Sequence, residues 1–234
     1  GAQAAAGHPQ AGEAPLTPIQ RWFVETHGTA PGQFNNAVLL AAEAIDTPAL
    51  GRAMAAVIAR HDGLRLSLDL ARGVQRVAPS MAAPVETVEL DSVAALAAHA
   101  GALQAGFDVA RPPLLRVVHY RLPDGERLLL LCHHLVIDGV SWRILIEDLL
   151  AAYAEESAGQ AAMPAPAGSW LAWSAALAEA ARDPALLAEI PYWRKVEAAE
   201  APALPRDYDD EINTVADARG IALELDADAS AALL

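Results

Sequence analysis

The strongest constraint in this sequence is the run Leu128-Leu-Leu-Leu-Cys-His-His-Leu-Val-Ile-Asp-Gly-Val-Ser-Trp-Arg-Ile-Leu145. A short apolar run closed by a turn signal reads as a buried strand. From Val140 onward the apolar residues fall at helical spacing: Val140, Ile144, Leu145, Leu149 and Ala152. The pattern is therefore buried strand, tight turn, long helix. His133 and His134 stand where the strand leaves the core, where an imidazole can be held rigidly and still meet a substrate. Neighbouring side chains on a strand point to opposite faces, so the two histidines cannot share one cleft unless the strand has already ended.

Three readings of the pair remain open on these residues. Both histidines can be packing or turn residues. Two histidines with Asp138 resemble a facial metal-ligand set, although adjacent histidines on a strand diverge. A general acid/base is the third, because imidazole titrates near neutral pH.

Composition narrows the function classes. The chain has 234 residues, enough for one domain with a sizeable core or for one large lobe. It is 54% hydrophobic but only 5% aromatic, so alanine and leucine fill the interior. A net charge of −14 argues against nucleic acid and anionic membrane surfaces as partners. The single cysteine, Cys132, excludes an internal disulfide framework and suits a reducing, cytoplasmic setting. It lies in the apolar strand and reads as a buried, inert thiol. Residues 1–15, rich in Ala, Gly, Pro and Gln, read as a linker without the apolar core of a signal peptide. No apolar run approaches the length of a membrane span.

Along the chain, Thr17-Pro18 starts a helix that stops near Gly28, with Trp22 and Phe23 expected in the core. Residues 34–43 read as a strand and 48–61 as a helix with Leu50, Met54, Val57 and Ile58 inward. Residues 64–70 alternate strictly, which predicts a strand with its four leucines on one face and Arg65 on the other. Arg72-Gly73 turns the chain into a short partner strand over 74–78. A strand over 85–90 precedes a helix capped by Asp91-Ser92 that runs to about Phe107, with Val93, Leu96, Ala100 and Leu103 inward. Strands over 114–122 and 127–135 join through Pro123-Asp-Gly-Glu. Residues 161–168 read as a surface linker. Ser169 caps a helix holding Trp170 and Trp173 on one core-facing side. A further helix runs from Pro184 through Trp193, followed by an acidic loop over 202–210, a strand over 219–225 and a helix over 226–234. Interleaved helices and strands imply an α/β or α+β class with a mixed sheet.

His133-His-Leu-Val-Ile-Asp-Gly-Val-Ser-Trp142 resembles the HHxxxDG motif of the condensation superfamily of nonribosomal peptide synthetases. Peptide-bond-forming members tend to carry Trp directly after the glycine. Gly139-Val140-Ser141-Trp142 is instead similar to epimerization domains, as is Leu16-Thr-Pro-Ile-Gln-Arg-Trp-Phe23 followed by Gln33-Phe-Asn-Asn36. The resemblance implies a chloramphenicol-acetyltransferase-like fold of two similar lobes with the active site between them. Residues 16–225 would form the first lobe, and 226–234 would begin the connection to a second lobe that this chain lacks.

The resemblance further implies epimerization at Cα of an aminoacyl or peptidyl thioester. The substrate would ride on the phosphopantetheine of a peptidyl carrier domain upstream, with no metal and no cofactor bound directly. His134 would be the catalytic acid/base or would stabilise the enolate, with a glutamate from the second lobe opposite it and His133 in support. Arg65 would pair with Asp138 to hold the histidine loop, so Asp138 would be structural and its loss would unfold the protein. Gly139 shares that structural role. The backbone N–H groups of 139–141 would stabilise negative charge, with Ser141 and Trp142 as oxyanion or tunnel residues. Arg21, Arg111 and Arg116 would have to cluster for an acidic carrier to dock. Two other outcomes stay open: a condensation-type acyltransferase of the same fold, and an isolated lobe that binds partners without turnover.

Overall fold

The computed structural model describes residues 11–28, 30–160, 168–205 and 219–233. By its internal contacts the chain forms two compact units, Gly1–Ala188 and Glu189–Leu234. The first unit holds seven described strands in two sheets. One sheet has the order β1-β4-β3, from β1 (Gly12–Pro15), β3 (Leu66–Asp69) and β4 (Val74–Val77), antiparallel throughout. The other has the order β2-β7-β6-β5, from β2 (Asn35–Ala42), β5 (Val85–Glu89), β6 (Leu115–Leu122) and β7 (Gly125–His133). Only its β5–β6 pair is parallel, and α3 (Val93–Gln104) supplies the long crossover that a parallel pair needs. The class is mixed α/β with a mixed sheet, as expected.

Strand β7 is central and covered on both faces. Leu128, Leu130 and Cys132 face α2 (Thr47–Arg60) and α4 (Gly139–Ser157), packing with Leu50, Met54, Val57, Leu145 and Leu149. Leu129 and Leu131 face the other way, against Leu96 and Phe107. Covering both faces explains why the strand is a continuous apolar run rather than an alternating one. Burial pushes the Cys132 thiol far above the ordinary range, so it stays protonated. The β6–β7 turn at Pro123-Asp124 is closed by Gly125, whose φ of 127° lies where L side chains are strained.

The helices start where their caps are. Thr17 opens α1 (Pro18–His27) with a capping box to Gln20, while Asp46, Ser92 and Ser169 cap α2, α3 and α5 (Trp170–Ala180). Residues 161–167 of the expected linker, and the part of the acidic loop beyond 205, lie outside the described residues.

Several expectations change. Gly12–Pro15 is not linker: it adds a strand to β4, because the exposed edge of the β3–β4 hairpin offers it a ladder of partners. Residues 62–65 form a 3-10 turn, so the strand begins at Leu66, and both its faces are covered. Trp22 is 54% exposed while Phe23 is buried, since consecutive helical positions are turned about 100° apart and α1 is covered on the side of Gln20 and Phe23. Val93, Val140, Ile144 and Trp173 are likewise exposed: an apolar stripe wider than the contact leaves its rim outside. The helix expected through Trp193 is two, α6 (Pro184–Leu187) and, in the second unit, α7 (Ile190–Glu197). Pro191 is tolerated only in a first turn, so the helix restarts there. Residues 219–225 form no strand, having no paired neighbour among the described residues, and α8 (Ala227–Leu233) follows. Among the described residues no helix is long and apolar enough to cross a membrane.

The two-sided burial of β7 sets a stability contrast. Leu130→Ala is expected to cost about 3 kcal/mol by leaving a cavity at a fully buried site. Leu39→Ala, on the neighbouring strand but 48% exposed, should cost no more than about 0.5 kcal/mol. Urea midpoints for the two variants check this, and equal midpoints would contradict it.

Candidate active site

Strand parity separates the two histidines. His133 is the last residue of β7 and continues the face of Leu129 and Leu131, where it is fully buried between the edges of Phe23 and Phe107. Its Nε2–H donates to Pro31 O at 2.6 Å, and its Nδ1 accepts from Leu135 N–H at 3.1 Å. The carbonyl can only accept and the amide can only donate, so the neutral tautomer is assigned and both nitrogens are spent. Burial holds its pKa below the ordinary histidine value.

His134 has left the strand and is exposed. Its N–H still bonds Phe34 O at 2.7 Å, which anchors the backbone to the start of β2. Its Nδ1–H donates to Ile137 O at 2.8 Å across the loop. That leaves Nε2 unprotonated in the neutral ring, an acceptor for an incoming proton.

A cavity of about 430 Å³ lies against this residue. Its walls come from α1 (Gln20, Trp22, Phe23, His27), from the loop and the start of α4 (His134, Asp138, Ser141), and from Trp170. Most polar groups around it are engaged within the protein. Gln20 bonds Thr17 and Gln75, Trp170 Nε1 bonds Gln75, and the Ser141 hydroxyl donates to Asp138 at 2.6 Å. His134 Nε2 has no partner among the described residues. Nor has His27, whose ring packs on Phe34 at 4.3 Å. Among the described residues no cluster of His, Cys, Asp or Glu is arranged to hold a metal ion.

Arg65 and Asp138 do not form an ion pair. Arg65 is 1% exposed and donates to Ala78 O at 2.8 Å, Ile58 O at 2.5 Å and Ala59 O at 3.2 Å. Two of these are carbonyls of the last turn of α2, left without helical partners and carrying the negative end of the helix dipole. The guanidinium caps a helix end, with Asp62 the nearby counter-charge, and burial lowers its pKa. Its Nη2 is buried without a partner. Asp138 is exposed and caps α4, accepting from Ser141 N–H at 2.7 Å as well as from the Ser141 hydroxyl. Those bonds hold its carboxyl below the usual range.

The Asp138 carboxylate also alters the expected oxyanion role of 139–141, because it already takes the Ser141 N–H at the helix start. Trp142 packs against the core cluster rather than lining the cavity, while Ser141 does line it. Gly139 has open space where a Cβ would stand, so packing does not demand glycine there. Sequence patterning does not mark Gln20, His27 or Trp170 as site residues. The spacing of Gln20, Phe23 and His27 along one helical face was the available signal.

These geometries predict opposite weights for the two charged residues. Asp138→Ala should lower stability by about 1 kcal/mol at pH 7, the cost of a lost cap. A depressed carboxyl contributes stability above its unfolded pKa, so the deficit should shrink as the pH falls below about 4. Arg65→Ala, which strands the buried Ile58 carbonyl and two partly buried ones, should cost about 3 kcal/mol. Denaturation at pH 7 and pH 3 tests both, and the reverse order of cost would overturn the assignment.

Comparison with known proteins agrees with this fold. The condensation-domain family model matches residues 10–234. Tyrocidine synthase 1 of Brevibacillus parabrevis is 36% identical over 210 residues, covering 85% of this chain and 19% of that protein. A chondramide synthase of Chondromyces crocatus is 36% identical over 241 residues, covering 95% of this chain and 6% of that protein. The crystal structure of the epimerization domain from the third module of tyrocidine synthetase B superposes with a TM-score of 0.78 at 30% identity. That match covers 87% of this chain and 49% of the solved one. The chain therefore spans a small part of its curated relatives and about half of a solved domain. With a family match over nearly its whole length and the matching fold beneath it, the chain belongs to the condensation-domain family.

Proposed function

We propose that this chain is the first lobe of an epimerization domain of nonribosomal peptide synthesis. It would act on the Cα of an aminoacyl or peptidyl thioester carried on the phosphopantetheine of a carrier protein. The observation that carries the reading is the division of labour between the histidines. His133 has both nitrogens engaged and holds the loop. His134 has Nδ1–H pinned to Ile137 O, keeps an unspent Nε2 lone pair and lines a cavity.

In the proposed step the Cα–H bond breaks and the proton goes to His134 Nε2. The electron pair delocalises onto the thioester oxygen as an enolate. A proton is then delivered to the opposite face by the group there, after which His134 loses its proton to solvent and that group regains one from solvent. The opposite-face group is expected to be a glutamate of a second lobe, which would also exclude water and strengthen every charge interaction in the site. General acid–base catalysis of this kind contributes about 10²–10⁴-fold, which is the loss expected for His134→Ala. The likeness to a solved epimerization domain supports this choice within the family.

The test is Cα deuterium uptake in deuterated buffer, read by mass spectrometry, on this chain continued into its second lobe. The protein would be offered a carrier-bound aminoacyl thioester together with an acceptor-loaded carrier. Uptake that is lost in His134→Ala is the expected result. A new peptide bond without deuterium would move the protein to the acyltransferase class of the same fold. Binding without either reaction would make it an interaction module.

A further inference from the structure

Behind the cavity stands a side chain that touches none of it. Gln75 lies on β4 and is completely buried. Its amide makes four hydrogen bonds. Oε1 accepts from Trp170 Nε1–H at 2.5 Å and from Gln20 Nε2–H at 3.0 Å. Nε2 donates to Pro15 O at 2.8 Å and to Ser174 Oγ at 2.9 Å. An indole nitrogen can only donate and a peptide carbonyl can only accept, so the orientation of the amide is determined at both ends. Both lone pairs and both hydrogens are used, and no spare donor or acceptor remains for a different arrangement.

The four partners lie on three elements. Gln20 is on α1, Trp170 and Ser174 are on α5, and Pro15 ends β1. Gln20 is oriented in turn, its Oε1 accepting from Thr17 N–H at 2.9 Å. Trp170 is held a second time by its own N–H, which donates to Asp62 at 2.8 Å. Gln20 and Trp170 both line the cavity that holds His134. One buried amide thus joins the α1 wall to the α5 wall, and those walls face the loop that carries the candidate base.

We infer that Gln75 is a positioning residue for the His134 cavity: it sets the spacing of the α1 and α5 walls and through them the fit of the aminoacyl-pantetheine substrate. The inference rests on the proposed function only for the identity of that substrate. A buried polar group without its partner costs the full desolvation penalty, so removing the amide strands Trp170 Nε1 and Gln20 Nε2 and drives them to new positions. Gln75 has no contact with the reacting atoms and contributes nothing to proton transfer itself.

The experiment compares the parent, Gln75→Met, Trp170→Phe and Ser174→Ala in the full polypeptide that carries this chain, labelled with fluorotryptophan. The Trp170 fluorine resonance is assigned from its absence in Trp170→Phe. The ligand probe is an aminoacyl pantetheine with an amide in place of the thioester. We expect the Trp170 resonance to move in Gln75→Met and the probe to bind about tenfold more weakly. The Cα exchange rate at saturating substrate should stay within about threefold of the parent, a change worth under 1 kcal/mol. Ser174→Ala, which removes a bond away from the cavity, should bind the probe like the parent. Should Gln75→Met fail to fold, Gln75→Asn decides, because it draws the amide back from Trp170 and Gln20 and leaves every cavity-lining side chain in place: weaker binding supports the inference and parental binding overturns it. An unmoved Trp170 resonance, unchanged probe binding in Gln75→Met, or a parent that does not bind the probe would also overturn it. A parent that binds the probe yet exchanges no Cα proton sinks the epimerase reading and leaves the test of Gln75 intact.

Discussion

Strand β7 can be central because every residue from Leu128 to Cys132 is apolar, and helices cover it on both sides. A strand buried on two faces has no freedom to slip by one residue, since a slip would exchange its two faces. Its register against β2 and β6 fixes where it ends. Parity then does the rest. His133 belongs to the buried face and His134 is the first residue beyond it. The different surroundings of two adjacent, chemically identical side chains follow from this single packing constraint.

The polar groups around the site are organised by the same economy. Buried hydrogen-bonding groups must be paired, and here the pairs double as positioning devices. His133 ties the end of β7 to the 3-10 turn before β2 through Pro31. Arg65 closes the C-terminal end of α2, and Asp138 closes the N-terminal end of α4. Gln75 joins three elements through one amide.

The elements were legible where a local rule decides them. Caps at Thr17, Ser92 and Ser169 and the turn at Gly73 mark boundaries that the fold keeps, because capping and left-handed geometry are properties of a few consecutive residues. Partners across the chain were not legible in the same way. The resemblance pairs Arg65 with Asp138, yet its donors turn to the end of α2, because a helix end supplies unsatisfied carbonyls only once the turn at 62–65 folds back on it. Trp22 and Trp173 read as core by type, but exposure depends on which face a neighbouring element covers.

By itself the sequence determined the succession of strands and helices from α1 to α5, the mixed α/β class and the loop on which the site is built. These follow from periodicity, caps and turn residues, all of them local. Tertiary structure alone decided that β1 joins the small sheet, that Gln20, His27 and Trp170 wall the cavity, and that Gln75 stands behind them. The reason is physical. A hydrogen bond between residues 55 or 95 positions apart, as Gln75 makes with Gln20 and Trp170, leaves no periodic trace in the chain and exists only when packing brings its ends together.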